Sequence, residues 1–111
     1  MHKEFMDKYI LACAGGMSTS ILARKMQNEA VTRGLNIEIE AISESNVKEE
    51  LNRNSDRIKA ILLGPQIRYI KQQVANMAAP FNVPVDVIDM MDYGTVNGPK
   101  VLDHALSLAN Q

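Results

Sequence analysis

The sequence predicts an α/β fold: a single open, four-stranded parallel sheet of order 2-1-3-4 with helices on both faces. Three observations carry this. Strand-like and helix-like patterns alternate along the chain as β-α-β-α-β-α-β-α, which calls for parallel strands joined by right-handed crossovers. Residues 9–12 and 58–63 are continuously or largely apolar, as strands covered on both faces are. Residues 37–42 (Ile-Glu-Ile-Glu-Ala-Ile) alternate instead and belong at an edge. With strands one and three central, the chain reverses direction between them. Ligands of open α/β sheets sit outside the carboxyl ends of the strands at such a reversal.

Taken in order, residues 1–7 read as a flexible lead-in and residues 8–111 as one domain. After the first strand, a helix is expected to start with Ser18 or Thr19 as N-cap. Leu22, Met26 and Ala30 form its inner face, with Ile21 and Val31 beside it, and Gly34 is its C-terminal stop. The alternating second strand leads to a short helix, capped by Ser45 or Asn46 and running through Leu51, and then to a polar loop over residues 52–56. Gly64-Pro65 ends the third strand. Ile67, Ile70, Val74 and Met77 have the spacing of a helix over residues 66–79. Pro80 and Pro84 bracket a loop before a short last strand over residues 85–88. Residues 89–94 read as a loop. A closing helix follows, with Pro99 near its first turn and Val101, Leu102, Ala105, Leu106 and Leu108 as its apolar face.

Composition narrows the function classes. Of 111 residues, 46% are hydrophobic and 23% charged, the balance of a globular chain with one core-forming domain. Twelve basic and thirteen acidic residues leave a net charge of −1, so no basic excess points to nucleic acid. One cysteine cannot form an internal disulfide, which fits a reducing cytoplasm, and no metal or cofactor constellation is expected. The charged N-terminus is unlike a signal peptide, and no apolar run approaches the ~20 residues that span a bilayer.

The chemistry concentrates in Ile10-Leu11-Ala12-Cys13-Ala14-Gly15-Gly16-Met17-Ser18-Thr19-Ser20. An apolar strand ends at Cys13, passes through two glycines and enters a helix through three hydroxyl residues. Backbone N–H groups converging at such a helix start form an anion seat, and their field favours a thiolate. The loop lacks the lysine of G-x-x-x-x-G-K-[ST] and does not match G-x-G-x-x-G. Cysteine-dependent phosphatases carry an arginine six positions after the cysteine, where this chain has Thr19. Without that cation, a phosphoryl group can be held but is poorly handed to water.

This stretch resembles the active-site loop of the IIB components of the lactose/cellobiose (chitobiose) class of sugar phosphotransferase systems. The resemblance extends to Leu63-Gly64-Pro65-Gln66-Ile67-Arg68-Tyr69, to Asp89 and to Asp92-Tyr93-Gly94, and covers the chain from residue 8 onward. It implies a flavodoxin-like sheet with the topology of low-molecular-weight tyrosine phosphatases. It also implies a cytoplasmic phosphoryl relay without a cofactor. Cys13 would accept a phosphoryl group from the phosphohistidine of a IIA protein and pass it to a sugar bound by the membrane IIC permease. Ala14, Gly15, Gly16, Met17, Ser18, Thr19 and Ser20 would form the phosphate-binding cradle. A cysteine-dependent phosphatase or arsenate-reductase-like enzyme is the alternative. A monomer is expected, because a carrier must show one open face to two successive partners.

The remaining residues have weaker claims. His2 and His104 lack an acid partner nearby in sequence. Asp89 and Asp92 read as turn formers or caps before they read as general acids. Met17 divides between apolar contact with partners and core packing.

Overall fold

The computed structural model describes residues 6–15 and 17–111. The lead-in expected over residues 1–7 lies mostly outside them, as do His2 and Gly16; Met6 forms a bend and the first strand opens at Asp7. The elements are β1 (Asp7–Cys13), α1 (Met17–Thr32), β2 (Ile37–Ser43), α2 (Val47–Asn54), β3 (Ile58–Leu63), α3 (Lys71–Ala78), β4 (Val85–Val87), α4 (Met90–Gly94) and α5 (Gly98–Ala109). The sheet is parallel throughout, in the order β2-β1-β3-β4. The topology is the expected one.

Strand periodicity divides the interior into two cores. Tyr9 and Leu11 of β1, with Ala60 and Leu62 of β3, face α1 and α5, where Leu22, Met26, Ala30, Val101, Leu102 and Ala105 are buried. Ile10, Ala12, Ile61 and Leu63 point the other way, onto Val47 and Leu51 of α2 and Val74 and Ala78 of α3. Both faces of each central strand are therefore covered over most of its length, which explains the apolar runs, broken in β3 only by the half-exposed Lys59 near its start. Gly34 ends α1 with φ +75°, the left-handed conformation expected of a C-terminal stop.

Several local expectations need correction. α1 begins at Met17, so Ser18 and Thr19 lie in its first turn rather than at its N-cap. Ala23 is buried in the inner face, whereas Ile21 and Val31 lie exposed. A 3₁₀ turn, Glu44–Asn46, precedes α2 and is capped by the Ser43 hydroxyl, which accepts from the Ser45 N–H; Asn46 stands at the N-cap position of α2, as one of the two expected residues, but makes no side-chain capping bond. α2 continues to Asn54 and absorbs the first three residues of the expected polar loop. The third helix is split: Pro65–Ile70 is 3₁₀, Ile67 leaves helical geometry at φ −115°, and α3 starts only at Lys71. Ile67 is nonetheless buried, so the apolar spacing reported packing correctly while the backbone kinked. Residues 90–94 form α4, its start capped by Asp89, whose carboxylate accepts from the Asp92 N–H at 3.0 Å.

Polar side chains finish the sheet edges. On β2, the Gln27 carboxamide donates to the Ile37 carbonyl (2.9 Å) and accepts from the Ile39 N–H (2.8 Å). The Lys8 ammonium is buried between Glu40 and Glu50. Burial alone would lower its pKa, but the two carboxylates hold it above the ordinary lysine value. At the β4 edge, Asp86 receives His104 Nε2 at 2.8 Å and Lys71 Nζ at 3.3 Å. His104 thus has an acid partner after all, brought from β4 by the fold.

Two predictions follow from this packing. A Cβ on Gly98 would lie 2.8 Å from Lys25 Cβ and 2.9 and 3.0 Å from the Lys25 carbonyl carbon and oxygen. Gly98→Ala should therefore cost about 1–3 kcal/mol in urea unfolding, because α5 must back away from α1. For Asp86, burial raises the pKa, but bonds from His104, the Val87 N–H and Lys71 outweigh it and hold the carboxyl below its ordinary value. Its contribution to stability is complete above the unfolded pKa of about 3.9 and fades as pH falls through the lower folded value. Asp86→Asn should flatten the loss of urea midpoint below about pH 4.

Candidate functional site

β1 and β3 run side by side, and their pairing continues past the strands. The Gly64 N–H donates to the Ala12 carbonyl at 2.9 Å, which holds the loop after β3 against the last turn of β1. Cys13 sits at that point, at the chain reversal between the central strands. It is 8% exposed, with its sulfur at the rim of the sheet rather than in either core. The Gly15 N–H donates to Cys13 Sγ at 3.4 Å, and the thiol reaches the Ile42 carbonyl at 3.9 Å. Gly15 makes this possible through φ +108°, which L side chains rarely adopt. A backbone amide of the loop is thereby aimed at the sulfur.

Two small clefts flank Cys13. One, of about 220 Å³, is lined by Cys13, Ala14, Gly15, Ser18, Gln66 and Tyr93. The other, of about 140 Å³, is lined by Cys13, Gly15, Ser20, Ala41, Ile42 and Ser43. Neither lining contains a lysine, arginine or histidine. A larger cleft of about 630 Å³, near Ser55, Lys59 and Phe81, lies at the amino ends of the strands, far from the thiol.

The loop residues do not share one orientation. Ala14, Gly15 and Ser18 line the first cleft and Ser20 the second. Gly16 and the Met17 side chain lie outside what the structure describes. Thr19 turns away: it is 0% exposed, and its hydroxyl lies 3.0 Å from the Tyr93 hydroxyl. At the position where a phosphatase carries its arginine, this chain has a buried hydroxyl that ties α1 to α4. Asp89 does the capping work expected of a loop aspartate, accepting from the backbone N–H of Asp92, which lies in the first turn of α4. Gln66 and Tyr93 came forward in the sequence only as parts of a resemblance; their place beside Cys13 follows from contacts across 53 and 80 residues, which no local pattern encodes.

The segments that supply Gln66 and Tyr93 to the cleft also expose large apolar side chains. Tyr69 is 78% exposed and Met91 74%, with Met90 close behind. An adjoining depression of about 330 Å³ is lined by Pro65, Gln66, Arg68, Met90, Tyr93 and Gly94. Among the described residues, no group of histidine, cysteine and carboxylate side chains could hold a metal ion, and no helix is long and apolar enough to cross a membrane.

Fold and site define an α/β protein that presents its one thiol at the switch point of an open parallel sheet. The family model for the lactose/cellobiose-specific IIB subunit of the phosphotransferase system (PTS) matches residues 8–104, and the chain belongs to that family of sugar-specific phosphotransferase components. It is 43% identical over 103 residues to the oligo-beta-mannoside-specific EIIB component of Bacillus subtilis, covering 93% of this chain and 96% of the relative. It is 46% identical over 106 residues to both the galactose-specific EIIB component of Lactococcus lactis subsp. cremoris and the cellobiose-specific EIIB component of Lactococcus lactis subsp. lactis, covering 94% and 98%. The solved cellobiose-specific IIB component of Borrelia burgdorferi is 35% identical, with a TM-score of 0.74 over 95% of this chain and 93% of that one. The lactose-specific IIB domain of Streptococcus pneumoniae shares the fold, with a TM-score of 0.78 at 17% identity over 93% and 97%.

The Thr19–Tyr93 contact generates a prediction. Thr19→Val and Tyr93→Phe should each lower stability by about 1 kcal/mol, and the double variant by less than their sum. A urea-denaturation cycle over the four proteins measures this.

Proposed function

We propose that Cys13 is the phosphoryl carrier of this IIB component. Its thiolate attacks the phosphorus of a phosphohistidine on a IIA protein. The S–P bond forms as the N–P bond breaks, and the imidazole leaves and regains a proton. In the second transfer, a hydroxyl oxygen of a sugar presented by the membrane IIC permease attacks the same phosphorus. The O–P bond forms, the S–P bond breaks with the thiolate as leaving group, and the hydroxyl proton passes to base or water. Residues 8–111 act as one unit, as a monomer at the cytoplasmic face of the membrane.

The observation that carries this reading is the Gly15 N–H directed at Cys13 Sγ within a cleft lined by neutral groups. Backbone donors stabilise a phosphoryl dianion, while the missing arginine removes the clamp that hydrolysis needs. The burial of Thr19 against Tyr93 argues against a phosphatase on the same ground. The exposed Tyr69, Met90 and Met91, in the segments that supply Gln66 and Tyr93 to the cleft, suit a face that docks two partners in turn, since apolar and aromatic side chains favour interfaces.

The substrate is a β-linked disaccharide or related sugar of the cellobiose, lactose or chitobiose type. Relatives of equal identity are named for galactose and for cellobiose, which supports a carrier that is indifferent to the sugar and a permease that selects it.

Intact-mass analysis tests the proposal. After incubation with phosphoenolpyruvate, the general phosphotransferase proteins and a cognate IIA, the chain should gain one phosphoryl mass that persists for minutes. Cys13→Ser should gain no such thiol-linked adduct. Steady release of phosphate from an aryl phosphate, without an adduct, would overturn the carrier reading in favour of a hydrolase.

A further inference from the structure

We propose that Gln66 supplies the side-chain hydrogen-bond donor that closes the phosphoryl seat opposite the backbone loop. The inference rests on the phosphocysteine reading of Cys13 and assigns a residue to it. Three polar side chains line the cleft: Ser18, Gln66 and Tyr93. Ser18 belongs to the first turn of α1, on the same side as the loop itself. The Tyr93 hydroxyl shares a hydrogen bond with Thr19, so at least one of its donor and acceptor roles is taken. Gln66 alone comes from the loop after β3, across the chain reversal.

Its placement is built in. Pro65 and Ile67, on either side of it, are buried, and the Ile67 N–H donates to the Gly64 carbonyl at 3.0 Å, so the backbone that carries Gln66 is anchored at both ends. The side chain then folds back over Gly64. A Cβ on Gly64 would meet Gln66 Oε1 at 3.1 Å and lie 3.8 Å from Cys13 Cβ, so the glycine leaves the space that lets the carboxamide lie toward the thiol. The carboxamide makes no hydrogen bond to another described residue, which leaves both N–H donors available to a group in the cleft.

A carboxamide at this position has a distinct chemical consequence. Its donors favour the dianionic phosphoryl group without the bidentate positive charge that stabilises attack by water. Glutamate has the same shape but offers only acceptors when ionised, so it tests donation separately from packing.

The experiment is a ³¹P titration of the phosphorylated protein, separated from its donors, with Gln66→Ala and Gln66→Glu beside the wild type. Loss of the donor should raise the second phosphoryl pKa by about half a unit in Gln66→Ala and by about one unit in Gln66→Glu. Phosphocysteine yield in Gln66→Glu should fall about tenfold. Iodoacetamide alkylation of unphosphorylated Gln66→Ala should stay within about twofold of wild type, because a purely structural defect would disturb the thiol as well. A wild type that forms phosphocysteine, with coincident midpoints in all three proteins, would overturn the role of Gln66 alone. A wild type that takes no phosphoryl group would overturn the phosphocysteine reading and this assignment together.

Discussion

The hydrogen bond from the Gly64 N–H to the Ala12 carbonyl extends the β1–β3 pairing one step beyond the strands, and the site hangs on that step. Past it, one chain segment turns toward α1 and the other toward α3, each leaving the sheet on a different face. The crevice between them follows from the parallel geometry, since adjacent strands whose crossovers lie on opposite faces cannot both fill the space above their ends. Cys13 enters that crevice from one side, Gln66 from the other, and α4 brings Tyr93 across the top.

Within the crevice, hydrogen bonding dominates over charge. None of the lysines or arginines lines either cleft beside the thiol, and several are engaged elsewhere: Lys8 with two glutamates, Arg57 with Glu38, Arg33 with Glu29 and Asp103, and Lys71 with Asp86. The clefts are lined by backbone, hydroxyls and one carboxamide. On the proposed carrier reading, such a lining would hold the phosphoryl group by hydrogen bonds without a cation to stabilise attack by water.

The fold was legible because both central strands are buried on two faces and the edge strand on one, so the apolar pattern maps directly onto strand position. The thiol was legible because residues 13–20 form a local strand–loop–helix unit whose chemistry depends on neighbours in sequence. What stayed hidden was set by distance along the chain. The Thr19–Tyr93 bond spans 74 residues and the His104–Asp86 pair spans 18, and neither leaves a periodic signature. α4 was missed because five residues with a single cap carry too little pattern to separate a turn of helix from a loop. The kink at Ile67 was missed because burial, which the spacing reports, is satisfied there without helical geometry.

The carboxamide of Gln27 lies along the outer edge of β2 and fills one donor and one acceptor position of the sheet as a neighbouring strand would. An incoming strand from another molecule must first evict it and leave its two bonds unmade. The sheet therefore ends in a side chain that belongs to its own helix, and growth of the lattice sideways, copy upon copy, meets an occupied seat.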